Sequence, residues 1–207
     1  MGPRAQRRTR HLTAATKLGW ANALFLLVGS VMGVIASIGL LEAELTHLRA
    51  PSAVFECDFN PLVGCGSSLL SPQAHVLGIP NAVLGTVLFT AIATVAALAL
   101  IRATIPRMAW WIAAFGAGGG VVTVLWFLYL SATTFHALCP YCLVVWSATL
   151  IIGSVLIPQA LHATGHASIR SLGATLLRYT PLIAVALHLF IFFIIIIAMR
   201  DQIGALL

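Results

Sequence analysis

Five stretches of this chain are long and apolar enough to cross a lipid bilayer: Leu18–Leu41, Asn81–Ile101, Met108–Ser131, Cys139–Ile157 and Tyr179–Met199. A spanning helix needs about 20 apolar residues, because lipid offers no partner to an unpaired backbone N–H or C=O. These runs take more than half of the 207 residues. One bundle, one sizeable loop and short connections fit in what remains, and a separate soluble domain does not. Only 8% of residues are charged, against about 25% in average chains. The expected fold is therefore an all-α integral membrane protein. The last run, with Ile191–Ile197 uninterrupted, suits a peripheral, lipid-facing helix.

The basic residues give an orientation. Arg4, Arg7, Arg8, Arg10 and Lys17 precede the first run, Arg102 and Arg107 separate the second from the third, and Arg170 and Arg178 separate the fourth from the fifth. Only Arg49 and Arg200 fall on the other side. Cytoplasmic loops are enriched in such residues, so residues 1–17, the 102–107 turn and the 159–178 loop are expected inside. The +6 formal charge is mostly this topology signal. Its residues are dispersed and not interleaved with aromatics, which argues against nucleic-acid binding. The first run far exceeds the roughly 7–15 residues of a signal-peptide core and is read as a retained span. The expected organisation is a basic tail, 1–17, and a single membrane domain, 18–207, with one long outer loop, 42–80.

All four cysteines then lie on the outer face. Cys139-Pro140-Tyr141-Cys142 opens the fourth run, and proline suits the first position of a helix. Thiols at a helix N-terminus meet unpaired N–H groups and the positive end of the dipole, which favour the thiolate. A Cys-x-x-Cys so placed fits a reversible dithiol/disulfide pair, half of a zinc site, or two inert buried thiols. Cys57 and Cys65 sit in the outer loop. On a straight helix their eight-residue separation would span about 12 Å, too far for a disulfide. Asn60-Pro61 and Gly64 break such a helix and let the chain turn back. Thiols outside the cytoplasm point to disulfide chemistry, although four cysteines allow three pairings.

Other residues carry less. The segment from Ser68 to Gly78 is apolar enough to lie on the membrane surface and lid the bundle. Asn81, opening the second run, reads as a helix cap. Gly29, Ser30, Gly33, Ser37 and Gly39 in the first run, and Gly116, Gly118, Gly119 and Gly120 in the third, read as close-packing positions. His136 reads as a solvated loop residue, His47 and His75 are scattered, and His188 reads as a neutral imidazole bonded to a neighbouring helix.

Cys57-x7-Cys65, the serines after it, Asn81 and Cys139-x-x-Cys142 together resemble the vitamin K epoxide reductase family, and its bacterial members in particular. The resemblance covers Leu18 to Ile157. It implies a four-helix bundle with a quinone pocket at its outer end, and the fifth run, read from hydropathy, lies outside it. Cys139 and Cys142 match the redox-active pair, with Cys142 nearest the quinone ring. Cys57 and Cys65 match a loop pair that relays electrons. Asn81 matches an asparagine that bonds a quinone carbonyl, and Trp146 stands where animal members carry a pocket tyrosine. The implied acceptor is a menaquinone- or ubiquinone-type quinone. The implied partner is a separate extracytoplasmic thioredoxin-like disulfide oxidase, and the implied location is the bacterial cytoplasmic membrane. Two rivals stay open: reduction of a quinone or its epoxide for its own sake, and a structural zinc cage of the four cysteines.

Overall fold

The computed structural model describes residues 15–51, 55, 57–60 and 62–204. Arg4, Arg7, Arg8, Arg10, Glu56 and Pro61 lie outside the described residues. Helices follow in the order α1 (Trp20–Arg49), α2 (Gly66–Leu69), α3 (Asn81–Leu100), α4 (Arg107–Leu130), α5 (Pro140–His162), α6 (Ala167–Arg178), α7 (Thr180–Ala198) and α8 (Arg200–Gly204). Among the described residues, α1, α3, α4 with its π-helical continuation to Phe135, α5 and α7 are long and apolar enough to cross a membrane. The protein is an all-α, multi-pass membrane protein.

α5 is the centre. It packs against α1, α4, α6 and α7, while α3 packs against α1. Half of its membrane-length window is buried, against 11% for α7, which places α7 at the periphery as Ile191–Ile197 anticipated. In lipid, apolar side chains gain little by leaving one apolar medium for another, so close backbone approach holds the helices together. A Cβ added at Gly29 would stand 2.6 Å from Ile151 of α5, and one at Gly33 would strike the Phe89 ring of α3. The small residues of α1 thus pack as expected. Those of α4 mostly do not. Gly116, Gly118 and Gly119 face open space, and only Gly120 meets α5, at Thr149.

Two segments are more helical than hydropathy suggested. α1 continues to Arg49, eight residues beyond Leu41, because Glu42, Glu44 and His47 end an apolar run without breaking a helix. The 159–178 stretch holds the end of α5 and all of α6. The Ser68–Gly78 segment, conversely, is broken into α2 and two 3₁₀ turns, Pro72–Ala74 and Val76–Gly78. These form the lid. It is fastened to α1 by His75 Nε2 and Glu44 Oε1, 2.7 Å apart, and to α3 by Asn81, whose Nδ2 donates to the Gln73 carbonyl while its Oδ1 accepts from Val76 N–H.

The far end of the bundle gathers the basic connections. A two-residue strand, β1 (Ala15–Thr16), pairs antiparallel with β2 (Ile105–Pro106), and Gln159 Nε2 donates to Thr16 Oγ1. Lys17, the 102–107 turn and the α5–α6 connection therefore share one end. A core of Leu18, Leu26, Ala96, Ala99, Trp110 and Leu156 closes it, with Trp110 fully buried.

Candidate active site

The site is assembled at the opposite end by loop geometry. Asn60 makes the reversal: its Oδ1 accepts from the N–H groups of Leu62 and Val63, and its backbone pairs with Val63. An asparagine that bonds backbone two and three residues ahead mimics a turn. The returning strand is then stitched to the segment before α5, with Leu138 N–H donating to the Leu62 carbonyl and Gly64 N–H to the Leu138 carbonyl. These bonds fix the loop beside Cys139.

Asp58 completes the loop. Its carboxylate accepts from the N–H groups of Cys65 and Gly66, groups left without intrahelical partners at the start of α2. A Cβ at Gly64 or Gly66 would run into the same carboxylate. Asp58 was not singled out in the sequence. An aspartate seven residues before a cysteine and a glycine carries a capping signal only once the Asn60 turn is known.

These contacts converge the sulfurs. Cys57 and Cys65 form a disulfide with Cα atoms 5.8 Å apart, and Cys139 and Cys142 are free thiols. Cys139 Sγ lies 3.2 Å from Cys65 Sγ. Cys57, Cys65 and Cys139 are buried, and Leu40, Phe55, Tyr141 and Cys142 surround them. Cys139 is the N-cap of α5, with its sulfur accepting from Cys142 N–H at 3.4 Å. The Cys142 thiol holds the Cys139 thiol below its usual pKa, against burial, with the N–H groups of Cys142 and Tyr141 assisting. The thiolate form of Cys139 is thereby favoured, beside a disulfide sulfur.

Cys142 faces two ways. It borders the sulfur cluster and also an apolar layer of Trp146, Leu128, Leu138, Leu150, Phe127 and Leu143. Trp146 is buried one turn below it, on the same face. A planar apolar ring with polar edges suits this layer, since Cys142 is the sulfur that touches it. Asn81 spends its oxygen and one N–H on the lid and keeps a second N–H, because a side-chain amide carries two donors.

A cleft of about 360 Å³ opens on the other flank. Glu42, Thr46, His47, Arg49, Phe55, Cys57 and Tyr141 help to line it. It touches Cys57 and none of the other three sulfurs. Tyr141 forms its inner wall, with the ring laid on Gly39 of α1, where a Cβ would stand 2.7 Å from it. His47 stacks on Phe55 in the same wall.

The remaining histidines do little here. His136 is exposed, ends the π-helical turn in a left-handed conformation and bonds the Ala132 carbonyl. His188 bonds the Ala184 carbonyl of its own helix, which corrects the expected bond to a neighbouring helix. Among the described residues no group of three or more His, Cys, Asp or Glu is placed to hold a metal ion, and the Cys57–Cys65 bond withdraws two of the thiolates a cage would need.

No curated protein matches the chain. The model of the vitamin K epoxide reductase family matches residues 24–157, which takes in α1, the lid, α3, α4 and the Cys-x-x-Cys opening of α5. The family implies a membrane redox enzyme, and the sulfur cluster supplies the groups for it: this chain belongs to the vitamin K epoxide reductase family.

Proposed function

We propose that the protein reoxidises an extracytoplasmic thioredoxin-like disulfide-forming protein, a separate chain, and passes the electrons to a membrane quinone. The contact between Cys65 Sγ and Cys139 Sγ, 3.2 Å, carries this reading, because it joins the loop pair to the helix pair. A quinone of the menaquinone or ubiquinone type, when bound, is the two-electron, two-proton acceptor. The positive-inside pattern supports a bacterial cytoplasmic membrane, with the N-terminus in the cytoplasm and the sulfurs outside.

Every protein step is thiolate attack on a disulfide. A partner thiolate attacks Cys57 from the cleft, and Cys65 leaves as a thiolate. The partner's second thiolate displaces Cys57 and completes the partner's disulfide. Cys65 next attacks Cys139 of a Cys139–Cys142 disulfide, releasing Cys142. Cys57 then attacks Cys65, restoring the loop disulfide and freeing Cys139. Two electrons have moved inward, and a loop disulfide beside two free thiols, as seen here, is the arrangement such an exchange would leave. Cys142, bordering the apolar layer, is the sulfur that faces the acceptor. Trp146 and Asn81 are assigned to ring contact and to a carbonyl hydrogen bond. With purified protein, a dithiol partner and quinone, Cys139→Ala or Cys142→Ala should abolish quinone reduction. Full activity in either variant overturns the proposal. In cells lacking the protein the dithiol partner should accumulate reduced. A partner that stays oxidised there would favour quinone reduction for its own sake.

A further inference from the structure

We infer that the N-terminus of α6 is a binding site for the phosphate headgroup of an acidic phospholipid. This inference is independent of the electron relay and concerns the opposite end of the bundle. α6 begins at Ala167, and its N-cap His166 offers no side-chain acceptor to the first N–H groups. Such a terminus favours an anion through both its free N–H groups and its dipole.

Two other observations concern the turn that leads into it. Thr164, in the turn leading into α6, is 8% exposed, and its hydroxyl is buried without a partner. A buried hydroxyl left unpaired costs free energy, which a headgroup oxygen would recover. Arg107, from the start of α4, brings Nη1 to 3.7 Å from the Cβ position of Gly165, in the same turn. Among the described residues no carboxylate is paired with it. The described acidic side chains, Glu42, Glu44 and Asp58, belong to the sulfur end, and the His75–Glu44 ion pair lies there too.

The setting selects a lipid rather than a free ion. α6 lies flush on α5 through Gly173, where a Cβ would collide with the His162 nitrogen and the Pro158 carbonyl. Ile169 and Leu172, in the first turns of α6, remain exposed, and Arg107 supplies the cationic side of the site. Acyl chains cover the apolar pair, and the phosphate meets the cation.

Native mass spectrometry of the purified protein with phosphatidylglycerol or phosphatidylcholine tests this. Wild type should retain phosphatidylglycerol preferentially. Arg107→Gln should weaken retention about fivefold, the effect of one basic residue near an anionic surface. Arg107→Lys should recover most of it, and Thr164→Val should weaken retention while leaving the melting temperature of the lipid-free protein unchanged or raised. Arg178→Gln, at the other end of α6, should change it little. Equal retention of both lipids, or equal losses from Arg107→Gln and Arg178→Gln, overturns the site. So does a thermal upshift from inorganic phosphate in detergent that matches the upshift from phosphatidylglycerol.

Discussion

The two ends of the bundle are held together by different forces. The sulfur end is stitched by directional bonds: Asn60 to its own turn, Asp58 to the start of α2, Leu138 to the returning strand, and Asn81 and His75 to the lid. The basic end is held by packed atoms, with Trp110 buried in an apolar core and Gly173 pressed against α5. A hydrogen bond is worth roughly 0.5–1.5 kcal/mol net and can be traded for another. Close packing has no such intermediate states, since interiors approach crystalline density. The end where bonds must be exchanged is the end whose scaffold can shift locally.

The sharpest test of this contrast is Cys65→Ala. It should abolish electron transfer from a protein dithiol to quinone while leaving Cys139 and Cys142 titratable by a small dithiol, as seen by thiol counting. Loss of both would mean that the loop shapes the helix pair rather than feeding it. Next comes the packed end. Gly173→Ala should cost about 1–3 kcal/mol by overpacking, read as a lower melting temperature with the redox pair intact. Gly116→Ala, which meets open space, should be neutral or stabilising by roughly 0.5–1 kcal/mol from helix propensity. An intermediate effect is expected at Asp58. Asp58→Ala should cost about 0.5–2 kcal/mol, as loss of a cap does, and should lower the rate of partner oxidation more than the melting temperature.

The last prediction concerns pH. The Cys139 thiol is held below its usual value, so in the reduced protein its alkylation by iodoacetamide should persist to lower pH than that of a free cysteine. Its folded pKa lies below the unfolded one. The stability its thiolate lends is lost as pH falls through the folded value. Cys142→Ala removes the first cause of the shift and should move the alkylation profile back up.

Much of the architecture could be read from spacing alone. The five apolar runs gave the helices, and Cys139-Pro140 marked a helix start that the structure places there, with Cys139 as N-cap. Hydropathy was a poor guide to where helices end. It stopped α1 at Leu41, although nothing from Glu42 to Arg49 opposes a helix. It passed over α6, whose polar residues read as loop. Contacts between distant residues were beyond reach: Glu44 and His75 stand 31 positions apart, and no local signal pairs them. The glycines show the same limit. Gly33 and Gly116 look alike in sequence, yet one lies under a phenyl ring and the other faces open space. Only the path of the neighbouring helix distinguishes them.

Tyr141 belongs both to the cleft wall and to the shell around the sulfurs. That double membership works as a baffle. From the cleft, Cys57 is the sulfur on the wall, and a phenol seated on Gly39 separates it from the rest of the cluster. On the proposed relay, electrons entering from the cleft would pass by covalent exchange through the loop pair before they reach the helix pair.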